Sequence, residues 1–326
     1  MINPKEFLSV IDNTGINIIT GVPDSLLKDL TAAIDSYWPT EKHIISTNEG
    51  SALAFAMGSY MATKKVPMVY LQNSGIGNII NPITSLADPL VYSIPILLII
   101  GWRGEIDLKG KQIKDEPQHK KQGIITIKQL EILDIPYKVL DSNSSNYEKE
   151  VKEIINKSVD LNSPVALIIR KGTFESFKLQ KKQKFNNLPS RENVINEILN
   201  SFEFNTPIIA TTGFTSRELY ELRQKRSEEH SYDFLTVGGM GHSSQIAAGI
   251  AQSIPKKKVI CIDGDGGLLM HTGSLAINAE CENLIHFVIN NGVHDSVGGQ
   301  PNKGNKLKLY KIAEEFGYKK CFRVES

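Results

Sequence analysis

The stretch VICIDGDGGLLMHTG, Val259 to Gly273, runs an apolar strand-like segment into a glycine-rich turn with a carboxylate, Asp265, set between two glycines. Backbone N–H groups around Gly266 and Gly267, at the start of a helix, can hold a diphosphate, but Asp265 would repel it. A hard divalent cation between carboxylate and phosphate removes the repulsion, because the ion's charge inverts the local electrostatics. Magnesium demands near-octahedral oxygen coordination, so one carboxylate and two phosphate oxygens leave about three positions to fill. Candidates follow downstream: after an expected helix from about Met270 to Cys281 and the strand LIHFVIN comes Asn290-Asn291-Gly292, and Asn291 lies 26 residues beyond Asp265. In a parallel βαβ unit successive strands end on one side of the sheet, so the side-chain oxygen of Asn291 and the backbone carbonyl of Val293 join Asp265 as expected ligands. The alternative is a tight Gly turn and an Asn-Gly turn that never meet. Two other Gly-rich readings fail on spacing: Leu269 stands where a dinucleotide fingerprint needs a small residue, and the Gly-Lys-Ser/Thr ending of a P-loop is absent.

Elements that bring such turns together are legible as short apolar runs alternating with helical patterns: INIITG, HIIST, VPMVYLQ, IPILLIIG and PVALIIR in the first half, then PIIATTG, KKVICID and IHFVIN. Runs apolar on both faces and separated by helices imply parallel sheets covered on both sides, so the expected fold class is α/β, with two doubly wound parallel-sheet domains. The polar, basic stretch 171–192 has no sustained periodicity and reads as a linker between domains at 1–170 and 193–326. Lys and Arg number 37 against 36 Asp and Glu, a formal charge of +1, so no global field recruits nucleic acid or an acidic membrane. Any anion must be held locally. The three cysteines, Cys261, Cys281 and Cys321, lack CxxC spacing, which argues for a reducing compartment and against both a disulfide framework and a thiolate metal site. The N-terminal MINPKEFLSVIDNTG is amphipathic and carries Asp12, so it does not read as a secretion signal. The longest apolar run, LVYSIPILLIIG from Leu90, contains Pro95 and is only about half a membrane span; a buried strand and a cytoplasmic chain are expected.

GDGGLLMHTGSLAINAECENLIHFVINN resembles the thiamine-diphosphate motif, in which the acid of GDG and the second residue of NN bind the metal that clamps the diphosphate. Resemblance to the thiamine-diphosphate-dependent decarboxylases implies thiamine diphosphate and Mg2+ as cofactors, with Asp265, Asn291 and Val293 at the metal. It further implies that Gly264, Gly266 and Gly267, with Thr212 and Gly213 of PIIATTG, line the cofactor, and that Met240 of GGMGHSSQ props it into its bent form. In the other half it implies that Glu49, at the strand-to-helix junction of HIISTNEGSALAFAMGS, faces the aminopyrimidine. A carboxyl there favours the imino tautomer, whose nitrogen deprotonates the thiazolium carbon; a carboxylate at a helix N-terminus also simply serves the helix dipole. YLQNSGIGNIINPITSL resembles the turn lining the other side of the pyrimidine, with Asn73, Ser74, Gly75 and Asn78 as its residues, against the alternative of an ordinary βα turn. In this family the two halves meet between chains, which implies a homodimer or higher homo-oligomer, and the short connection between them implies that the family's middle domain is missing.

GVPDS, DEPQH and HDSVGGQP narrow the resemblance to the phosphonopyruvate decarboxylases, with the sulfopyruvate decarboxylases as cousins. The reaction this implies is non-oxidative decarboxylation of a small-molecule 2-oxo acid, 3-phosphonopyruvate, to phosphonoacetaldehyde and carbon dioxide, with neither nucleic acid nor membrane as partner. Such a substrate carries a second strong anion, so basic groups and free amides are the expected recognition elements. Asp24 and Ser25 mark a helix start whose amides can meet an anion, or are plain N-terminal helix signals. Trp102 to Lys121, rich in Lys and Gly, is a mobile lid or an exposed loop. Within it His119 is the candidate to protonate the carbanion-like intermediate or hold the substrate carboxylate, and His242 and His294 are weaker ones. The chain stops at KLYKIAEEFGYKKCFRVES, where this family adds a last helix and strand; an incomplete final edge is expected, and with it the further alternative of a noncatalytic cofactor-binding subunit.

Overall fold

Alternate side chains of a strand face opposite sides of its sheet, and in the first half of the chain both sides are covered. In this computed structural model, which describes residues 1–107, 109–179 and 188–325, β1 (Ile19–Gly21), β2 (His43–Ile45), β3 (Met68–Gln72), β4 (Ile96–Gly101), β5 (Tyr137–Leu140) and β6 (Pro164–Ile169) form a parallel sheet in the order β2-β1-β3-β4-β6-β5. Between them run α1 (Pro4–Asn13), α2 (Lys28–Tyr37), α3 (Glu49–Thr63), α4 (Ile76–Pro82), α5 (Pro117–Ile132) and α6 (Tyr147–Leu161). Leu97, Ile99, Val165 and Leu167 enter one core with residues of α1, α2 and α6, such as Ile11, Leu30 and Ile154. Ile96, Leu98, Ile100, Ala166 and Ile168 enter the other with Leu53, Ile79 and Leu130 of α3, α4 and α5. Each fully buried Leu or Ile contributes roughly 1.5–3 kcal/mol, so two such cores hold the sheet without a crosslink; all three cysteines are free.

The second half repeats the scheme on a smaller scale. β7 (Ile208–Ala210), β8 (Asp233–Leu235), β9 (Val259–Gly264) and β10 (Leu284–Ile289) form a parallel sheet in the order β10-β9-β7-β8. Ile260 and Ile262 pack with residues of α7 (Arg191–Ser201) and α8 (Phe214–Lys225), while Val259 and Cys261 pack with α9 (Ser243–Ser253). The chain divides into two compact units, Met1–Lys182 with Val297–Gln300 and Gln183–Ser296 with Pro301–Ser326. Both are α/β units with helices on the two faces of a parallel sheet, as expected, and no helix among the described residues is long and apolar enough to cross a membrane.

Local differences have physical reasons. β5 and β8 are edge strands with one neighbour each and partly exposed faces, so neither produces the continuous apolar run by which the other strands are recognised. The helix expected from Met270 to Cys281 is instead α10 (Asp265–Met270), broken at His271 (φ −138°, ψ 51°) and followed by short turns at Thr272–Ser274 and Leu275–Asn278. Gly264 is extended (φ −107°, ψ 155°), so the helix starts directly at the carboxylate. Of the expected linker 171–192, the part 180–187 lies outside the described residues. Its start belongs to the first core: Phe174 is buried, bridges to Ile2, and is flanked by a Glu175 N–H to Ile2 O bond of 2.9 Å. Its end is the beginning of α7, where Ser190 Oγ accepts from Asn193 N–H at 3.2 Å.

Candidate active site

In an open α/β sheet, ligands bind beyond the carboxyl ends of strands where the winding reverses. In the first unit that point lies between β1 and β3, because β2 flanks β1 on one side and β3 and β4 continue on the other. The residues that follow these four strands gather the candidates.

After β2, Asn48 caps α3, its Oδ1 accepting from Ser51 N–H at 2.8 Å, and Glu49 opens the helix with only 6% of its surface exposed. Asn78 Nδ2 donates to Glu49 Oε2 at 2.7 Å. Gly75 lies so close that a Cβ there would stand 2.6 Å from Glu49 Oε1, so glycine is required for the carboxyl to reach its place. Glu49, Gly75 and Asn78, named from sequence, are thus one assembly. Ser74 is exposed, its Oγ donating to Gln72 Oε1 at 2.8 Å. Asn73 faces inward: its Nδ2 donates to Arg103 O and Thr126 Oγ1, both at 2.9 Å, and its Oδ1 accepts from Arg103 N–H. Its side chain braces the segment after β4.

Asp24 is fully enclosed. Its carboxylate accepts from the N–H groups of Leu26 and Leu27 at 3.1 and 3.2 Å and from Gln72 Nε2. The amides expected to meet a substrate anion at this turn are therefore already taken by Asp24 itself, and α2 begins only at Lys28. Burial raises the Asp24 pKa, against the pull of Gln72 and Arg103. Ser25 instead meets a cation that sequence reasoning passed over: Arg103 Nη1 donates to Ser25 Oγ at 2.9 Å, while its Nε and Nη2 grip both oxygens of Asp115 at 2.9 and 2.6 Å. The signal available was a lone Arg two residues beyond the end of β4. That fork, chiefly, holds the Asp115 carboxyl well below the usual range.

His119 sits in the first turn of α5 and is 9% exposed. Burial, with Arg103 next, lowers its pKa, and Glu116 lies 3.6 Å away. Leu108 of the supposed lid lies outside the described residues. Around it the segment is knit together by an Ile106–Gln112 bridge and by Gln112 Nε2 donating to Gly104 O and Lys120 O.

In the second unit the reversal lies between β7 and β9. Thr211, Thr212 and Gly213 follow β7, and Gly213 (φ +91°) turns the chain into α8. Beyond β8, Gly239 (φ +63°) and Gly241 (φ +87°) flank Met240 in a backbone shape that side chains rarely adopt. The turn carries Met240 Cε to 3.4 Å from the Cβ position of Gly266. His294 lies against the same glycine and burial lowers its pKa to about 4. His242 and His271 meet edge to face at 4.7 Å.

β9 and β10 end level, with Gly264 opposite Ile289, so the Asn290-Asn291-Gly292 end arrives beside Asp265. Asp265 Oδ2 accepts from Gly292 N–H at 2.8 Å, and Asn290 Oδ1 accepts from the same group at 3.2 Å. Asn291 Oδ1 is fixed by Val293 N–H at 3.1 Å. Gly304 closes on this corner so tightly that a Cβ there would strike both Asp265 and Asn290. Asp265 is 2% exposed, and burial raises its pKa against Asn302 and the amides of Gly292 and Gly266. A buried carboxylate held by dipoles and surrounded by amide oxygens is a donor set suited to a hard divalent cation.

The buried Glu49 carboxyl beside Gly75 belongs to the first unit and the oxygen-lined Asp265 turn to the second. The chain belongs to the thiamine pyrophosphate enzyme family: residues 5–130 match its N-terminal thiamine pyrophosphate binding domain and residues 211–326 its C-terminal one. It is 30% identical to the phosphonopyruvate decarboxylase of Streptomyces viridochromogenes, over 98% of this chain and 81% of that one. Similarity to the phosphonopyruvate decarboxylase of Streptomyces hygroscopicus is also 30%, over 98% and 80%. A sulfopyruvate decarboxylase of Methanosarcina acetivorans is 25% identical over 92% of this chain and 79% of its own length.

Proposed function

We propose that the chain catalyses the non-oxidative decarboxylation of 3-phosphonopyruvate to phosphonoacetaldehyde and carbon dioxide, with thiamine diphosphate and Mg2+, in phosphonate biosynthesis. The active form is a cytoplasmic homodimer or larger homo-oligomer with sites between subunits. The observation that carries the reading is the near-full-length identity to phosphonopyruvate decarboxylases, joined to an intact Glu49–Gly75–Asn78 assembly and Asp265 turn. When bound, thiamine diphosphate supplies a nucleophilic thiazolium carbon and a sink for the electron pair left by departing carbon dioxide.

The chain's own residues do the rest. Glu49, anchored by Asn78, holds a proton at N1′ of the aminopyrimidine. Asp265 and Asn291, with the Val293 carbonyl, would hold Mg2+, and Met240 would support the bound cofactor. Thr212, Gly213, Gly264, Gly266 and Gly267 face the diphosphate. Arg103 and Ser25 bind the substrate's anionic groups in place of the turn amides that Asp24 occupies. His119, whose pKa burial and Arg103 lower, passes a proton to the carbanion-like intermediate, its own charge changing by one as the proton leaves. Aldehyde release measured with phosphonopyruvate and with sulfopyruvate, in the presence of cofactor and Mg2+, tests the assignment: preference for phosphonopyruvate supports it, preference for sulfopyruvate replaces the substrate, and turnover of neither abolishes it.

A further inference from the structure

The face of the second sheet that α9 covers sets Ile209, Val259 and Leu284 against Ala247, Ala248 and Ala251 of the helix, yet three ligating side chains open onto it. Cys261 and Asp263 lie two residues apart on β9 and so share a face, and His286 on β10 pairs in register with Cys261. Their thiol, carboxylate and imidazole ligand atoms lie within 4.8 Å of one another. Cys261 and Asp263 are 0% exposed and the His286 side chain 3%. Asp263 Oδ2 and His286 Nε2 face each other across 3.6 Å, and neither has a hydrogen-bond partner. That distance is too long for a hydrogen bond. It is close to the roughly 3.3–3.5 Å that a tetrahedral metal, about 2.0–2.1 Å from nitrogen and oxygen, imposes between two ligands. The other ring nitrogen, Nδ1, meets the Tyr318 hydroxyl at 3.1 Å, the kind of outer hydrogen bond that orients a metal-bound His.

We propose that Cys261, Asp263 and His286 form a second metal site, for zinc or a similar borderline-soft divalent ion, separate from the magnesium position at Asp265. Sulfur and imidazole favour such an ion over magnesium. Thiolate and carboxylate balance its two charges and a neutral imidazole adds none, so a centre without net charge fills a place where unpaired polar atoms are costly; the thiol proton leaves to solvent on binding. Asp263 Oδ1 meanwhile accepts from Gly264 N–H at 2.8 Å, so the ion braces the strand end from which Asp265 projects. The absence of CxxC spacing argued against a thiolate site, but strand pairing, which spacing does not reveal, supplies the ligands.

The test is to strip the full chain with chelator and titrate it with Co2+ under excess Mg2+. One equivalent should bind with a near-ultraviolet thiolate-to-cobalt charge-transfer band that Zn2+ removes. Cys261→Ala should abolish the band, whereas Asp265→Asn and the double variant Cys281→Ala/Cys321→Ala should keep it. His286→Gln, which leaves the thiol in place, should weaken cobalt binding by about 10-fold or more, and it serves if Cys261→Ala does not fold. A folded parent that binds no cobalt, a band that survives Cys261→Ala, one lost with Cys281 and Cys321, or undiminished binding by His286→Gln would overturn the site.

Discussion

Gly75→Ala isolates the placement of the Glu49 carboxyl from the stability of the fold. Gly75 has φ −75° and ψ −10°, a conformation alanine adopts freely, so the backbone pays nothing and the unfolded chain loses entropy worth about 0.4–1 kcal/mol. The new Cβ would stand 2.6, 2.7 and 2.8 Å from Glu49 Oε1, Cγ and Cδ, against an ordinary contact of 3.4 Å or more. The carboxyl must therefore retreat by roughly half an ångström or more, and its 2.7 Å bond from Asn78 is strained or lost; a hydrogen bond to a charged group is worth about 1.5–3 kcal/mol. Misplacement on the order of 1 Å costs about 10²-fold in rate, and loss of a proton-transfer partner up to about 10⁴-fold. The expected result is a decarboxylation rate lower by about 10²-fold, slower proton–deuterium exchange at the cofactor's thiazolium carbon, and a protein that still folds, with a melting temperature lower by a few degrees because the entropy gain offsets only part of the lost hydrogen bond. Gly77→Ala is the control: nothing lies within 4 Å of its Cβ position, so it should leave both rates unchanged. Parental exchange and turnover in Gly75→Ala would refute the reasoning, and with it the role of Glu49.

Three further outcomes follow from the same geometry. Asp265→Ala should abolish Mg2+-dependent cofactor retention while the fold stays mostly intact, and titration calorimetry showing parental cofactor affinity would remove Asp265 from the clamp. His119→Ala should lower turnover by about 10²- to 10⁴-fold with cofactor affinity kept, and a parental rate and Michaelis constant from pH 6 to 8 would return His119 to a packing role. Asp115→Asn should destabilise the first unit by about 1–2 kcal/mol at neutral pH, as expected for a partly exposed fork. Because Arg103 depresses the folded-state pKa of Asp115 below 3.8, this stabilisation is complete above that value and fades as pH falls below it. The gap between variant and parent in denaturant melts should therefore narrow from pH 5 to pH 3; a gap that stays constant would show that the carboxylate's charge is not what matters.

Much of the fold is legible because burial on both faces leaves uninterrupted apolar runs: ILLIIG and PVALII are entirely buried in β4 and β6. The edge strands β5 and β8 leave no such trace, whereas β2 and β10, also at edges, are read from HIIST and IHFVIN. Asp233 in β8 is not apolar at all; it earns its place by gripping Arg223 with both carboxylate oxygens at 3.1 and 3.0 Å, a tertiary fact. Likewise 171–179 looks like linker because most of its residues are polar, while the side chains of Phe174 and Phe177 tie it to the first core.

The site divides along the same line. Glu49 and Asp265, each at the helix start after its own strand, are singled out by type and setting only together with the family resemblance. Residues whose effect depends on what lies across the sheet are not. Nothing local in the sequence shows that Arg103 and Thr126, 30 and 53 residues away, hold the Asn73 amide. Asp24 looks like an anion-binding turn until its carboxylate is found on the very amides in question. Arg103 looks like one charge in a basic loop until Asn73 fixes its backbone and Asp115 and Ser25 its guanidinium. Three strand ends thus converge on one cation: β1 through Ser25, β3 through Asn73 and β4 through Arg103 itself. The loss of a buried, charge-assisted network is seldom the sum of its bonds, so Asn73→Ala and Ser25→Ala should be non-additive in the double variant even though neither side chain touches the other's hydrogen-bond partners except through Arg103.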